Sequence, residues 1–571
     1  MSYEIGPVEA SAHNGPLELA QNRPETDRVQ DECGVFLVYA PGMPVGAIAY
    51  EAGVAGEHRG HSGSGIAYND SMRQTIVVEK GIGRMHEAIP HMKPVNGMTP
   101  AEYVNADSAI GHNRYNTNED DDLTGVHPHK GLRTNFAIAH NGQFNEKRLA
   151  HVARKFDIDA TGSKGDSALF AEIVDRQLAD TEASREITAD VLGQTMVTLF
   201  ARMEGAFCVT MLYKDMKLVA RDWHGVHPLS IGTLADNRGV AAASETVMLE
   251  HLDFEQVPYE DESGATKFAD NIRDVEPGEV IVIDEFGTHR SFWIPRVVEP
   301  KFCLYEHVYT SHEKSTVNGS PDWLARYNMG KELALAVPLK ADLVVGVPKS
   351  GLPPAHGYAD TLDIPYVPVL AKNPEVANLR TFLLRDKERA EVLKKKFLIN
   401  HDVLTEFLRT KFDFEEGTDQ DAMLEALQDM EVVVIDDSNI KGNVGRRTVE
   451  LLRTLNFKKI SVLLASPPYK KPCNLGMDTS RESELIAREG QSLEQIAHDL
   501  GADLVAYNSF EAVERAIDDA KNQAEVANGK STPSLIGKFC GKCSGLEVEF
   551  NPVHHLSNQS DKIGEIVLSN L

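Results

Sequence analysis

The sequence predicts two large domains of different architecture: an α+β domain built on a largely antiparallel sheet over residues 33–295, then an α/β domain with a parallel sheet over 300–525. Three observations carry this. At 571 residues the chain exceeds what one hydrophobic core serves, since domains usually run to ~100–200 residues. Its first half holds short apolar runs broken by turn residues. Its second half alternates apolar runs with amphipathic stretches. Residues 1–32 form an extension ahead of the first domain, and residues 526–571 a tail behind the second.

In the first domain the runs at 34–40, 135–140, 206–213 and 217–220 read as strands, and the amphipathic stretches 146–156 and 166–178 as helices that cover them. In the second, 341–347, 364–370, 431–436 and 459–466 read as strands and 445–455 as a helix, the order of a doubly wound sheet. The region 404–430, with Asp413, Glu415 and Glu416 ahead of Gly417-Thr418-Asp419, reads as an insertion or mobile segment. The sequence shows no internal repeat and no low-complexity tract.

Composition narrows the function. Lysine and arginine number 58 against 86 aspartate and glutamate, a formal charge of -28. A chain that acidic repels a phosphate backbone unless it carries a concentrated basic face, and none is evident, so no nucleic-acid partner is expected. No stretch approaches the ~20 apolar residues of a membrane span. The first 32 residues lack the basic start and apolar middle of a secretory signal, and a cytoplasmic location is expected. Six cysteines are too sparse for a disulfide scaffold, although Cys540 and Cys543 have metal-ligand spacing.

Cys33 in Asp31-Glu32-Cys33-Gly34-Val35-Phe36 is, taken alone, most simply a small core residue in a strand. It is followed in order by Glu57-His58-Arg59-Gly60, Gly111-His112-Asn113-Arg114-Tyr115, His140-Asn141-Gly142 and Gly165-Asp166-Ser167. Together these motifs resemble the glutaminase domain of the glutamine phosphoribosylpyrophosphate (PRPP) amidotransferase family. The resemblance implies an αββα N-terminal-nucleophile sandwich, with residues 1–32 as a propeptide whose removal makes Cys33 the new N-terminus. A terminal α-amine, with an ordinary pKa of ~7.7–8.0, takes the thiol proton near neutral pH without a separate histidine. By the same resemblance Arg59 would pair with the glutamine α-carboxylate and Asp166 would hold its α-ammonium. The amide of Asn141 and the N–H of Gly142 would form the oxyanion hole. Asn-Gly is also the strongest short hairpin signal, and the pair is expected to serve as turn and oxyanion hole together. The match extends through Ala220-Arg221-Asp222 to Pro228-Leu229 and Ala243-Ser244-Glu245, with His227 where the family usually has arginine.

In the second half, Val432-Val433-Val434-Ile435-Asp436-Asp437 ends an apolar run in paired carboxylates, and Ser438-Asn439-Ile440-Lys441-Gly442 leads into a helix. This resembles the PRPP motif of phosphoribosyltransferases, in which Asp436 and Asp437 would reach the ribose hydroxyls and the loop at Lys441 and Gly442 would wrap the 5-phosphate. Val345 to Gly351, including Ser350, resembles the pyrophosphate loop, and Arg380-Thr381-Phe382 part of the flexible loop that closes over PRPP. Cys303 to Tyr309, Ala465-Ser466-Pro467-Pro468 and the stretch from Pro472 to Asp478 also match. Two departures stand out. Asn443 and Val444 replace two threonines, and Val444 cannot donate a side-chain hydrogen bond to phosphate. Lys349 replaces an acid of the pyrophosphate loop.

Cys303, Cys473, Cys540 and Cys543 match the positions at which one branch of the family ligates a [4Fe–4S] cluster. Four thiolates equally suit a structural zinc, the alternative reading. Cys208, in an apolar run, reads as core. The implied activity is glutamine hydrolysis at Cys33 and ammonia transfer to C1 of PRPP. Mg²⁺ would bridge ribose and pyrophosphate oxygens near Asp436 and Asp437. The product would be 5-phosphoribosylamine, made by a homo-oligomer in the first step of purine synthesis. Two alternatives stay open: a paralog aminating a different phosphorylated or nucleotide-like acceptor, and a glutaminase carrying a non-catalytic sugar-phosphate sensor domain.

Overall fold

The computed structural model describes residues 33–93, 106–115, 123–160, 165–260, 266–295, 299–374, 395–415, 417–476, 481–527 and 532–547. The extension 1–32 and Arg380 lie outside the described residues.

The first domain is a four-layer sandwich. One sheet has seven strands, in the spatial order 272–274, 230–233, 240–243, 34–39, 106–114, 63–70, 75–82. The other has six, in the order 289–293, 279–283, 216–221, 205–213, 136–144, 129–130. Period-2 alternation sends Val35, Leu37, Ile110, Ala139, Cys208, Leu212 and Val219 into the core between the sheets. The alternate residues Phe36, Val38 and Ile66 pack outward against the helix Val45–Ala55. On the opposite face Phe136, Val209 and Met211 meet the helices Asp166–Ser184 and Ala189–Phe200. Cys208 is core, as its setting predicts.

The second domain centres on four parallel strands in the order Leu343–Gly346, Glu431–Asp436, Lys459–Leu464, Leu504–Tyr507. Helices Asp322–Ala336 and Leu352–Leu362 cover one face, burying Leu333, Ala355 and Tyr358 against Val344, Val433 and Leu463. Helices His401–Phe412, Asn443–Arg453 and Leu493–Leu500 cover the other.

Three local expectations are corrected. Asn141-Gly142 is no hairpin turn: both residues lie inside the strand Phe136–Phe144, opposite Cys208 and Phe207 of the neighbouring strand. Continuous hydrogen bonding on that strand overrides the turn propensity of the dipeptide. The expected strand at 364–370 is reduced to one bridge between Tyr366 and Val344 and to Leu370, which opens a short strand Leu370–Lys372 paired with Phe397–Ile399, because Pro365 and Pro368 carry no N–H for a ladder. The region 404–430 is not an insertion outside the core, since its helices bury Leu404, Leu408, Met423 and Leu427 against the parallel sheet.

Candidate active site

Cys33 stands immediately before the strand Gly34–Tyr39, whose first residue pairs with Asn113 at the end of the Ala106–Arg114 strand. This register brings Tyr115 to the nucleophile. The Tyr115 N–H donates to Cys33 Sγ at 3.4 Å. Burial pushes the thiol above its ordinary value, opposed by the Tyr115 hydrogen bond, then Arg114, then Arg59, while Asp166 adds to the rise. The thiol therefore needs a base to react near neutral pH.

Asn141 and Gly142 arrive on the second sheet. The Nδ2 of Asn141 is buried and has no acceptor among the described residues, a donor held ready for a ligand oxygen. Gly142 has φ +130°, and a Cβ there would lie 2.1 Å from the carbonyl oxygen of Ala206, so only glycine fits. Asp166 begins its helix, and its Oδ2 accepts from the Phe144 N–H on the same strand at 3.1 Å. Ser167 Oγ links Asp166 Oδ1, at 3.2 Å, to His140 Nδ1, at 3.0 Å.

Arg59 is a correction. It was expected at the substrate α-carboxylate, but it is fully buried and closed between two protein carboxylates. Its Nη1 donates to Glu245 at 2.5 Å and to Glu306 Oε2 at 3.1 Å, its Nη2 to Glu306 Oε1 at 2.9 Å, and its Nε to the Cys33 carbonyl at 3.1 Å. Fork-to-carboxylate geometry of this kind leaves no open face for a ligand. Burial alone would raise Glu245, but His58 and Arg59 hold it well below the usual carboxylate range. Its Oε2 also accepts from the His312 N–H at 2.8 Å and Ser315 Oγ at 2.7 Å. Arg114, by contrast, is partly exposed and is the largest single charge acting on Cys33.

Sequence reasoning gave Glu245, Glu306 and Arg114 no role, although each lay in a recognised motif. A charged residue inside an otherwise apolar stretch was the available signal. It also missed a buried cluster in which the His127 ring lies 4.1 Å from His112 and 4.5 Å from His129. Burial first lowers all three below an ordinary imidazole, followed by neighbouring histidines for His112 and His127 and by Lys80 for His129.

At the carboxyl ends of the parallel strands, Asp436 and Asp437 are buried to more than nine-tenths. Asp436 Oδ1 accepts from the Asp437 N–H at 2.9 Å, and Asp437 Oδ1 from Ser438 Oγ at 2.8 Å. Gly442, at φ +88°, is the N-cap of the helix Asn443–Arg453, whose first N–H groups point out of its start. Lys441 is paired with Glu484 at 2.7 Å. Asn443 Oδ1 accepts from Arg446, and Val444 packs partly into the sheet core. Ser350 lies in the turn between the strand Leu343–Gly346 and its helix, and a Cβ on Gly351 would meet the Val347 carbonyl oxygen at 2.7 Å.

Cys303, Cys473, Cys540 and Cys543 line one cavity with Val226, His227 and Leu475. The parallel pairing of Phe302–Cys303 with Phe539–Cys540 sets Cys303 beside Cys540. Burial, then Cys473 and Cys540, drives Cys543 well above an ordinary thiol, and burial takes Cys540 to about 12. Among the described residues no three histidine, cysteine or carboxylate side chains converge on a point suited to a single ion.

Fold and site together define an N-terminal-nucleophile glutaminase joined to a phosphoribosyltransferase-type domain, an amide-nitrogen transfer enzyme with two active centres. No family model matches the chain. It is 32% identical over 498 residues to the amidophosphoribosyltransferase of Mycobacterium tuberculosis H37Rv, covering 86% of this chain and 84% of that protein. It is 30% identical to the Pyrococcus horikoshii amidophosphoribosyltransferase, covering 84% and 92%. Among solved structures, the Bacillus subtilis glutamine PRPP amidotransferase complexed with ADP and GMP superposes with a TM-score of 0.68 at 26% identity, over 90% of this chain and 97% of that one. The chain belongs to the amidophosphoribosyltransferase family.

Proposed function

We propose that the enzyme releases ammonia from glutamine at Cys33 and passes it to C1 of PRPP, displacing pyrophosphate to give 5-phosphoribosylamine, the first step of purine synthesis. The observation that carries this is the presence, in one chain of this family, of an unsatisfied oxyanion donor at Asn141 and a carboxylate pair above a parallel sheet at Asp436 and Asp437.

In the first half-reaction, the α-amine of Cys33, exposed once residues 1–32 are removed, takes the thiol proton. Asn141 Nδ2 and the Gly142 N–H stabilise the oxyanion, where one lost donor costs ~2.7–4 kcal/mol of barrier. Asp166 receives the substrate ammonium. Arg114 takes the α-carboxylate, since Arg59 is already closed between carboxylates.

In the second, Asp436 and Asp437 orient the ribose hydroxyls, and the N–H groups at the start of the Asn443–Arg453 helix hold the 5-phosphate. The turn at Ser350 and Gly351 holds the pyrophosphate, with exposed Lys349 beside it. Asp436 and Asp437 would hold Mg²⁺, which when bound would supply positive charge against the leaving pyrophosphate. Arg380 belongs to the closing loop by resemblance.

Four cysteines lining one cavity supply the four thiolates a [4Fe–4S] cluster takes, one at each iron, and a structural zinc, the alternative, would use the same four sulfurs. No helix among the described residues is long and apolar enough to cross a membrane. A cytoplasmic homo-oligomer completes the reading.

The test separates the half-reactions. Cys33→Ala abolishes glutamine-dependent pyrophosphate release and spares the ammonia-dependent reaction, whereas Asp436→Ala damages both. Glutamine-dependent turnover surviving in Cys33→Ala refutes the nucleophile assignment. Amination of a different phosphorylated acceptor, with PRPP inert, replaces the acceptor.

A further inference from the structure

His227 is fully buried in the first domain, on the turn after the strand Met216–Arg221, and its backbone is fixed by Arg221 Nε donating to its carbonyl at 2.7 Å. Its ring reaches into the second domain. Nε2 donates to the Leu475 carbonyl at 2.7 Å, and Nδ1 lies 3.4 Å from Glu306 Oε1. Gly476, at φ +130°, is wedged beside it: a Cβ there would lie 2.8 Å from His227 Nε2 and 3.8 Å from the Cα of Gly142. The Leu475–Gly476 segment therefore backs directly onto the oxyanion strand.

The same segment continues from the phosphosugar site. Ser466 follows the strand Lys459–Leu464, and its N–H donates to the Asp437 carbonyl at 2.9 Å. Nine residues on, the chain reaches Leu475 and the His227 ring. A second route runs from His227 through Glu306 and Arg59 to the carbonyl of Cys33. One imidazole thus touches both the segment that backs onto the oxyanion strand and a carboxylate tied through Arg59 to the Cys33 carbonyl.

We infer that His227 is a positioning residue that seats the Leu475–Gly476 segment against the oxyanion strand and so couples glutamine hydrolysis to phosphosugar transfer. The inference rests on the proposed activity. With the ring removed, the segment loses its hydrogen bond, and ammonia made at Cys33 escapes to solvent instead of reaching the acceptor. Hydrolysis and transfer then run at different rates.

The experiment measures glutamate formed per pyrophosphate released, with glutamine as nitrogen source, beside ammonia-dependent transfer. His227→Ala is expected to raise the ratio by at least about threefold, with ammonia-dependent kcat within about twofold of the parent. His227→Gln, whose amide N–H occupies the place of Nε2 and stays within reach of the Leu475 carbonyl, recovers part of the coupling. Gly476→Ala keeps the ring but crowds it, and produces the same uncoupling should His227→Ala prove insoluble. An unchanged ratio in the soluble variants, or equal losses of both activities, overturns the inference. A parent enzyme that releases no pyrophosphate from PRPP with ammonia refutes the proposed activity instead.

Discussion

The guanidinium of Arg59 and the carboxylate of Glu306 face each other across the joint between the two domains, with Nη2 to Oε1 at 2.9 Å and Nη1 to Oε2 at 3.1 Å. Glu245, from the first domain, closes the other side of the same guanidinium. Removing one partner from such a buried arrangement strands the rest without compensation, typically at ~3–5 kcal/mol.

The two arginines near Cys33 are therefore expected to fail differently. Arg59→Ala lowers Tm by several degrees and depresses glutamine-dependent activity through loss of the joint. Arg114→Ala lowers Tm less than Arg59→Ala and raises the KM for glutamine by roughly tenfold or more, the loss of a charge-assisted hydrogen bond worth ~1.5–3 kcal/mol. Thermal melting and glutamine kinetics on both variants check this, and a reversed pattern returns the α-carboxylate to Arg59.

The proposed mechanism passes the Cys33 thiol proton to a free α-amine, and burial raises that thiol above its ordinary value. Intact-mass measurement of active enzyme is expected to give a chain beginning at Cys33. Full glutaminase activity in protein that retains residues 1–32 excludes the amine as base.

Anaerobically purified enzyme is expected to be brown and to contain about four irons and four sulfides per chain. Cys473→Ser should lose both. Zinc without iron or sulfide decides for the single-ion site.

The phosphate loop offers a graded test. Asn443→Thr adds a hydroxyl at the helix start and is expected to lower the KM for PRPP about tenfold, from a charged hydrogen bond of ~1.5–3 kcal/mol. Val444→Thr should change it little, because that side chain turns partly into the core. No gain from Asn443→Thr, combined with turnover of another phosphorylated acceptor, favours the paralog.

Asp322, buried against His307 at 2.8 Å, has its carboxyl raised to about 6, chiefly by burial, with His307 opposing. An acid whose folded value lies above its unfolded ~3.9 contributes stability that is full at low pH and lost as pH rises through about 6. Relative to Asp322→Asn, the parent should lose roughly 1 kcal/mol between pH 5.5 and 7.5. Melting temperatures across that range check the sign, and a parent that gains on the variant as pH rises contradicts it.

Much of this was legible in the chain. Val432 to Asp437 announces a buried strand ending in two acids, and the structure places it so. The helices at 404–430 were hidden because acidic and glycine residues masked a spaced set of apolar ones. The strand at 364–370 was misread because its apolar content outweighed two prolines whose missing N–H groups forbid a ladder.

What the sequence by itself determined was which chemical groups stand together along the chain: the cysteine proposed as nucleophile at Cys33, the amide and glycine proposed as oxyanion pair at Asn141-Gly142, two acids at Asp436-Asp437. Their spacing is fixed by the backbone, so it survives whatever the rest of the chain does. Which arginine is closed to a ligand was decided only by the tertiary structure. Arg59 is closed by Glu245 and Glu306, 186 and 247 residues away along the chain, and a guanidinium's availability depends on which carboxylates the fold brings to it.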